Sequence, residues 1–358
     1  MKAAIARKHG GPEVIEIADV PPPPPLSHPS LSPDSVLLAV RAAALNHLDL
    51  WVLRGLPGLE LDFPHIGGAD MAGTVAEVGA GVEGFAPGDR VLVNPGLWDG
   101  ECEWCLKGEE SLCQSYRILG EHVNGGFAEL IAVPARNLLP IPDDLTFVEA
   151  AAVPLAYQTA WRGLMRRAAL QAGETVLVTG ASGGVATAAI QIARHAGATV
   201  YAVTSGSEKV RRVRELGADH VIDRSVASPP SPPSPPFSEA VWKLTGKRGV
   251  DVVFDSVGAA IWSDVMRVLA KNGRLVTYGA TTGADAQINI RHVFWKQLQI
   301  IGTTMASRSE FEQVMSLVFA KKLEPVIDVV FPLERAREAY ERLASGEHFG
   351  KIILTVGD

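Results

Sequence analysis

From residue 159 to residue 303 the chain repeats one pattern: a short apolar run, a turn, then a stretch with helical spacing. The apolar runs lie at 175–179, 199–203, 220–222, 250–255 and 274–278, and a sixth at 298–303. Runs this short and this uniformly apolar read as strands buried on both faces, which is the signature of a parallel sheet covered by helices. Helical periodicity fills 159–170, 185–195, 208–216, 237–244 and 259–269. Strands alternating with helices of this length imply an α/β fold with a doubly wound sheet and right-handed crossovers.

The first 150 residues have another character. Residues 14–20 alternate apolar with acidic side chains, a proline run at 21–25 forces an extended linker, and 36–44, 73–79 and 89–93 read as further strands. Turn residues separate them, so a small barrel-like β domain is expected. The tail from Glu310 is expected to form two amphipathic helices and a closing strand at 351–356 that returns to this first domain. The expected division is 1–155, 156–305 and 306–358. The Ser/Pro repeat at 228–236 can neither pair into a sheet nor coil into a helix, and is expected to be an exposed extended loop.

A net charge of −7 gives no electrostatic footing for nucleic acid or an anionic membrane. No apolar run reaches the ~20 residues of a spanning helix. The N-terminus, Met1-Lys2-Ala3-Ala4-Ile5, has no basic segment followed by an apolar core. A cytoplasmic protein is expected.

The first strand of the repeat runs into Gly180-Ala181-Ser182-Gly183-Gly184-Val185-Ala186, after which a helix begins. A strand–turn–helix of this kind aims backbone N–H groups and a helix N-terminus at a phosphate. Gly180, Ser182, Gly183, Gly184 and Val185 are therefore candidates to cradle a dinucleotide pyrophosphate. In the G-x-G-x-x-G frame, positions 181, 183 and 186 are Ala, Gly and Ala, so the strand and helix around the turn carry much of this reading. An acid at the end of the second strand would hold the ribose hydroxyls of NAD. That strand ends in Thr204 and Ser205, with no carboxylate before Glu208, and Lys209, Arg211 and Arg212 follow. Hydroxyls and cations suit a 2′-phosphate, so NADPH is expected, with NADH the alternative.

All three cysteines fall within twelve residues, as Asp99-x2-Cys102-x2-Cys105-x7-Cys113. Three thiols and a carboxylate at this spacing reach one ion, and a closed set of four ligands is the form of a structural zinc site. The lobe at 95–120, rich in Gly, Trp and charge, is the kind of segment that needs such a staple. Three free thiols are the plain alternative. Glu101 or water stands as an alternative fourth ligand to Asp99.

Together these pieces resemble the medium-chain dehydrogenase/reductase superfamily, which contains zinc alcohol dehydrogenases and quinone oxidoreductases. The resemblance rests on Gly67-Gly68-Ala69-Asp70-x2-Gly73-x3-Glu77-Val78-Gly79, Gly88-Asp89-Arg90-Val91, the cysteine lobe, Gly126-Phe127-Ala128-Glu129 and the glycine turn. It implies a GroES-like catalytic domain, a Rossmann domain, a cleft between them, and a homodimer or homotetramer joined through the Rossmann sheet edge near residues 298–303. It also implies that His47 contacts the pyrophosphate and that Thr159 faces the nicotinamide. Asp255, Gly258, Gly279 and Ala280 end Rossmann strands, where cofactor contacts collect.

Departures from the family pattern bear on the chemistry. Zinc alcohol dehydrogenases place a catalytic cysteine where this chain has Asn46, a histidine and a glutamate where it has Ala69 and Asp70, and in some members a further cysteine at Leu155. A relay hydroxyl is replaced by Leu48. A catalytic zinc needs about three protein ligands, and alanine and leucine supply none. The expected reaction is therefore hydride transfer to a quinone or an α,β-unsaturated carbonyl without a catalytic metal. Asn46 is the first candidate donor to the substrate oxygen, Asp49 a support for its loop, and Tyr157 and His122 candidates for proton supply. Trp51, Trp295 and Phe127 are candidate walls of an apolar pocket. Two alternatives stand: an alcohol or aldehyde dehydrogenase with a rearranged zinc site using His47, His65, Asp70 or His122, and a non-catalytic NADPH-binding protein.

Overall fold

The computed structural model describes residues 1–28, 31–225 and 237–357. The Ser/Pro repeat at 228–236 falls outside these, and so does its expected loop. Two compact units account for the chain: residues 1–156 with 307–358, and residues 157–306.

The first unit is built on a seven-stranded sheet. In order, Leu138–Pro140, Arg90–Val93, Asp70–Val78, Ser35–Ala44, Lys351–Thr355 and Ile327–Pro332 lie side by side, and Leu130–Pro134 also pairs with Ser35–Ala44. Only the last two of the six are parallel. A three-stranded sheet of Glu16–Asp19, Lys2–Ala6 and His65–Ile66 stands beside it. Ile5, Leu38, Met71, Val91 and Phe127 are fully enclosed, and helix Ala336–Ser345 lays Ala339, Tyr340 and Leu343 into the same core. Gly68 has φ of +96°, and a Cβ there would stand 2.5 Å from the Phe127 ring, so only glycine fits.

Register in this sheet decides what meets at one end. Ala44 pairs with Asp70 on one side and with Ile353 on the other. The next backbone bond, from Leu45 N–H to the Ile352 carbonyl, carries the pairing to the strand's end. Asn46, Asp70 and Lys351, far apart in sequence, are thereby drawn to one place.

The second unit is a six-stranded parallel sheet in the order His220–Asp223, Thr199–Thr204, Thr175–Val178, Val250–Asp255, Leu269–Thr277 and Gln299–Gly302. Helices Gly184–His195, Ser207–Glu215, Phe237–Leu244 and Trp262–Val268 alternate with the strands. This is the doubly wound Rossmann arrangement.

The structure differs from the sequence reading at several elements, and strands Lys2–Ala6, Leu130–Pro134 and Leu138–Pro140 and helices His47–Arg54, Phe147–Ala151 and Ile290–Lys296 are additions to it. The helix expected over 159–170 begins earlier, at Pro154–Trp161, and continues as a π-helix over Arg162–Arg167. Residues 12–14 form a 3-10 turn, so the strand expected from 14 covers only Glu16–Asp19. Strand Ile327–Pro332 has no counterpart in that reading. No helix among the described residues is long and apolar enough to cross a membrane.

Candidate functional site

The centre of the first unit is a buried polar network. Asn46 precedes helix His47–Arg54, and the Asp49 carboxylate caps it by accepting the Asn46 N–H at 2.7 Å. The other Asp49 oxygen accepts the Gly68 N–H at 3.0 Å, so one carboxylate ties the helix start to the glycine loop. Complete burial pushes the Asp49 carboxyl up to about 6, and the two N–H donors oppose that rise. The Asn46 side chain leaves the helix end and joins two others. Its Nδ2 donates to Asp70 Oδ2 at 2.9 Å, and its Oδ1 accepts from Lys351 Nζ at 2.5 Å. Lys351 Nζ also lies 2.8 Å from Asp70 Oδ2, and Asp70 Oδ1 accepts the Leu155 N–H at 2.7 Å. Asn46, Asp70 and Lys351 are all buried, with Asp70 wholly so.

Around this centre the other candidates are placed as follows. His47 sits edge-on to Trp51 with ring centroids 5.2 Å apart, and burial with the Arg54 charge holds it below the usual histidine range. His122 accepts the Ile118 N–H on Nδ1 at 3.1 Å, which leaves its proton on Nε2, and burial again lowers it. Glu121 beside it is pushed up to about 7, by burial first and by the Asp49 charge second. His65 directs Nε2 at the Gly120 carbonyl, 3.0 Å away. Phe127 is core rather than pocket wall, crossing Tyr340 at 83° with centroids 6.0 Å apart. Trp295 is 77% exposed on helix Ile290–Lys296.

In the second unit the glycine turn joins strand Thr175–Val178 to helix Gly184–His195, with Gly183 as the residue before the helix. Gly180 is left-handed at φ +56°, and its carbonyl accepts the Gly183 N–H at 3.0 Å. A Cβ on Gly183 would meet nothing of the protein closer than that carbonyl, at 3.6 Å. Packing within the chain does not require glycine here, whereas a pyrophosphate approaching the backbone does. Asp255, fully buried at the end of its strand, accepts the Thr179 hydroxyl at 2.5 Å and the N–H groups of Val257 and Gly258. Gly279 and Ala280 follow strand Leu269–Thr277; the Gly279 carbonyl accepts the Thr277 hydroxyl and that of Ala280 the Gly283 N–H. Tyr157 is buried, and its hydroxyl accepts from Gln191 at 3.2 Å; Thr159 is buried two residues on, in the same helix. Thr204 pairs with Asp223 of the neighbouring strand, and Asp223 Oδ1 accepts the Gly206 N–H together with the N–H and hydroxyl of Ser225. Arg211 is held between Glu208 and Glu215, both at 2.5 Å, which weighs against it as a phosphate ligand.

The cysteine lobe brings its four residues together. Cys102 precedes the single helical turn Glu103–Leu106, which carries Cys105, and Cys113 follows the 3-10 turn Glu110–Leu112. Ligand atoms of Asp99, Cys102, Cys105 and Cys113 all lie within 4.8 Å of one another. The Cys102 and Cys105 sulfurs are 3.6 Å apart, near the ~3.8 Å that two thiolates take on a tetrahedral ion with 2.3 Å bonds. Asp99 Oδ1 accepts the N–H groups of Glu101 and Cys102, each at 2.9 Å. Its Oδ2 faces Cys113 Sγ at 3.1 Å and accepts the Ser115 hydroxyl at 2.6 Å. Burial and the facing Cys102, Cys113 and Asp99 push the Cys105 thiol up to about 12, a repulsion that a divalent cation would cancel. The donor set and spacing fit zinc.

Family models agree with this geometry. The "Alcohol dehydrogenase GroES-like domain" family matches residues 32–143, and the "Zinc-binding dehydrogenase" family matches residues 184–320. An acryloyl-coenzyme A reductase of Metallosphaera sedula is 36% identical over 357 residues, covering 99% of this chain and 100% of the relative. The chain belongs to the medium-chain dehydrogenase/reductase superfamily. A quinone oxidoreductase of Rattus norvegicus is 32% identical, covering 99% of this chain and 97% of its own. A crystal structure of an NAD-dependent alcohol dehydrogenase superposes with a TM-score of 0.92 at 44% identity, covering all of both chains.

As a member of this superfamily the protein is an NAD(P)H-dependent oxidoreductase with a GroES-like domain and a Rossmann-type sheet. Sequence reasoning overlooked one polar side chain at its centre, Lys351. The signal was available: a single lysine opens the apolar closing strand Lys351-Ile352-Ile353-Leu354, where a charge has no place unless it is paired.

Proposed function

We propose that this enzyme reduces a quinone or an α,β-unsaturated carbonyl compound, with NADPH as the hydride source and no catalytic zinc. The observation that supports this most is the content of the Asn46 centre. At the four positions where zinc alcohol dehydrogenases offer ligands, this chain has Asn46, Ala69, Asp70 and Leu155. Both oxygens of the one carboxylate among them accept hydrogen bonds, one from the Leu155 N–H and the other from Asn46 and Lys351, whose ammonium already balances its charge. Among the described residues the only cluster of His, Cys, Asp and Glu suited to a metal is the Asp99 lobe. Simple alcohol oxidation wants a Lewis acid to hold the alkoxide. Reducing an activated double bond asks less: the electron pair moves onto an oxygen, and hydrogen-bond donors hold the charge that develops there.

Bound reduced nicotinamide supplies the hydride. The chain's own part is to offer the backbone N–H groups of Gly184 and Val185 at the helix start to the pyrophosphate, with Gly183 letting it approach, and Thr204, Ser205, Lys209 and Arg212 to a 2′-phosphate. Asn46 donates to the substrate oxygen. Acryloyl-coenzyme A reductase and quinone oxidoreductase among the relatives carry names in keeping with this reaction class. The Asp99 lobe is proposed to hold one structural zinc.

The test is oxidation of NADPH and NADH with a panel of quinones, enones and saturated aldehydes, alongside zinc quantitation. Turnover of quinones or enones with NADPH preferred, and one zinc per chain, is expected. Alcohol or aldehyde turnover by a protein holding two zinc ions per chain would overturn the proposal.

A further inference from the structure

A carboxamide has two orientations of nearly the same shape, related by a half-turn that exchanges its oxygen and nitrogen. Which one a protein adopts is decided by what faces it. Around Asn46 the partners leave no choice. Asp70, an acceptor, faces one end of the amide, and Lys351, a donor without acceptor capacity, faces the other. Turning the amide over would set its NH2 against an ammonium and its carbonyl against a carboxylate, replacing two buried hydrogen bonds with two repulsions. The partners are themselves fixed. Asp70 is anchored by the Leu155 N–H at 2.7 Å, and Lys351 lies on the closing strand, its backbone N–H bonded to the Val326 carbonyl at 2.8 Å.

We infer that Lys351 and Asp70 are positioning residues that hold the Asn46 amide in one orientation, presenting its second Nδ2–H as a fixed donor to the substrate oxygen. This rests on the reductase reading above. The Nδ2 group has two hydrogens, and Asp70 takes one. The Oδ1 atom is turned toward the ammonium, so residue 46 offers a substrate donation only. Lys351 also draws electron density toward Oδ1, which strengthens the amide N–H as a donor. A donor that needs no reorientation when charge develops contributes most to lowering the barrier.

The test uses Asn46→Ala, Lys351→Arg, the pair Lys351→Met with Asp70→Asn, and the triple variant that adds Asn46→Ala to that pair. Kinetics are read with 2-cyclohexenone and 1,4-benzoquinone, together with thermal melting and the NADPH dissociation constant. Removing both charges together avoids leaving one of them buried alone, which would endanger the fold. In that pair the amide introduced at position 70 presents an N–H to residue 46, and the Asn46 amide turns over. Asn46→Ala is expected to lower kcat by about 100-fold, the size of one lost oxyanion donor. The charge-free pair should lose a comparable factor with its NADPH dissociation constant unchanged, and Lys351→Arg should recover most of the rate. The decisive comparison is the triple variant, which should be no slower than the charge-free pair. If the losses multiply, or if kcat only follows melting temperature, Lys351 and Asp70 are structural and the inference falls alone. If the wild type turns over neither quinones nor enones, the reductase reading falls and takes the inference with it.

Discussion

Glu121 illustrates what burial does to a single carboxyl in this unit. Its side chain is only 14% exposed and faces the Asp49 charge, and its carboxyl is pushed from 4.5 up to about 7. Between those two values the unfolded chain has lost the proton and the folded chain still holds it. The folded state then binds more protons, so stability falls as pH rises through this window and stays at the lower level above it. Glu121→Gln removes the cost. It should melt with the wild type at pH 4 and above it at pH 8, by up to ~3 kcal/mol. An offset that does not change with pH would show that Glu121 acts through packing instead. Asp49 titrates in the same direction, to about 6, but it cannot be spared in the same way. Asp49→Ala leaves the Asn46 and Gly68 N–H groups buried without acceptors, each costing roughly 1–3 kcal/mol. Thermal melting should therefore register a clear loss at every pH.

At the scale of elements, the cysteine lobe is held by two short turns and one carboxylate. Asp99→Ala removes the proposed fourth zinc ligand and also releases the Ser115 hydroxyl and two backbone N–H groups. It should lower bound zinc below one per chain and lower the melting temperature, whereas Asp99→Cys should keep both. Atomic absorption and melting with and without a chelator check this, and equal zinc in Asp99→Ala would point to Glu101 or water as the fourth ligand. The spacing of these four residues is local, so it is legible in the sequence. The same holds for the alternating runs of the Rossmann sheet, whose strands are buried on both faces. Elements with weaker patterns are not legible. Strand Ile327–Pro332 is partly exposed along its length and pairs through one edge only, so no clean apolar face marks it. The helix from Pro154 starts five residues before its apolar periodicity suggests, although proline suits a first helical position and was itself the start signal. Lys351 escapes for a different reason. Its partners Asn46 and Asp70 lie 305 and 281 residues away, and only sheet register brings them together.

At the scale of the whole molecule, one feature of the Rossmann unit is unfinished. Among the described residues nothing pairs with the outer edge of strand Gln299–Gly302, and such an edge is a template that proteins usually blunt with charge, proline or a cover. Here Ile300 on that strand is 40% exposed, and the adjacent helix Ile290–Lys296 shows Ile290, Phe294 and Trp295 at 73%, 64% and 77%. Large apolar side chains gathered beside an open strand mark an interaction surface. We propose that a second copy of this chain covers it, each edge strand meeting its counterpart across a two-fold axis, as closed symmetric oligomers require. Light scattering coupled to size exclusion should give a dimer or a tetramer for the wild type. Phe294→Glu combined with Trp295→Glu places four like charges across such an axis and should shift the population toward a smaller assembly. Asn46 belongs to the other unit, and NADPH oxidation per chain tells whether assembly and turnover are linked. If the charged variant elutes with the wild type, the edge is not where copies meet.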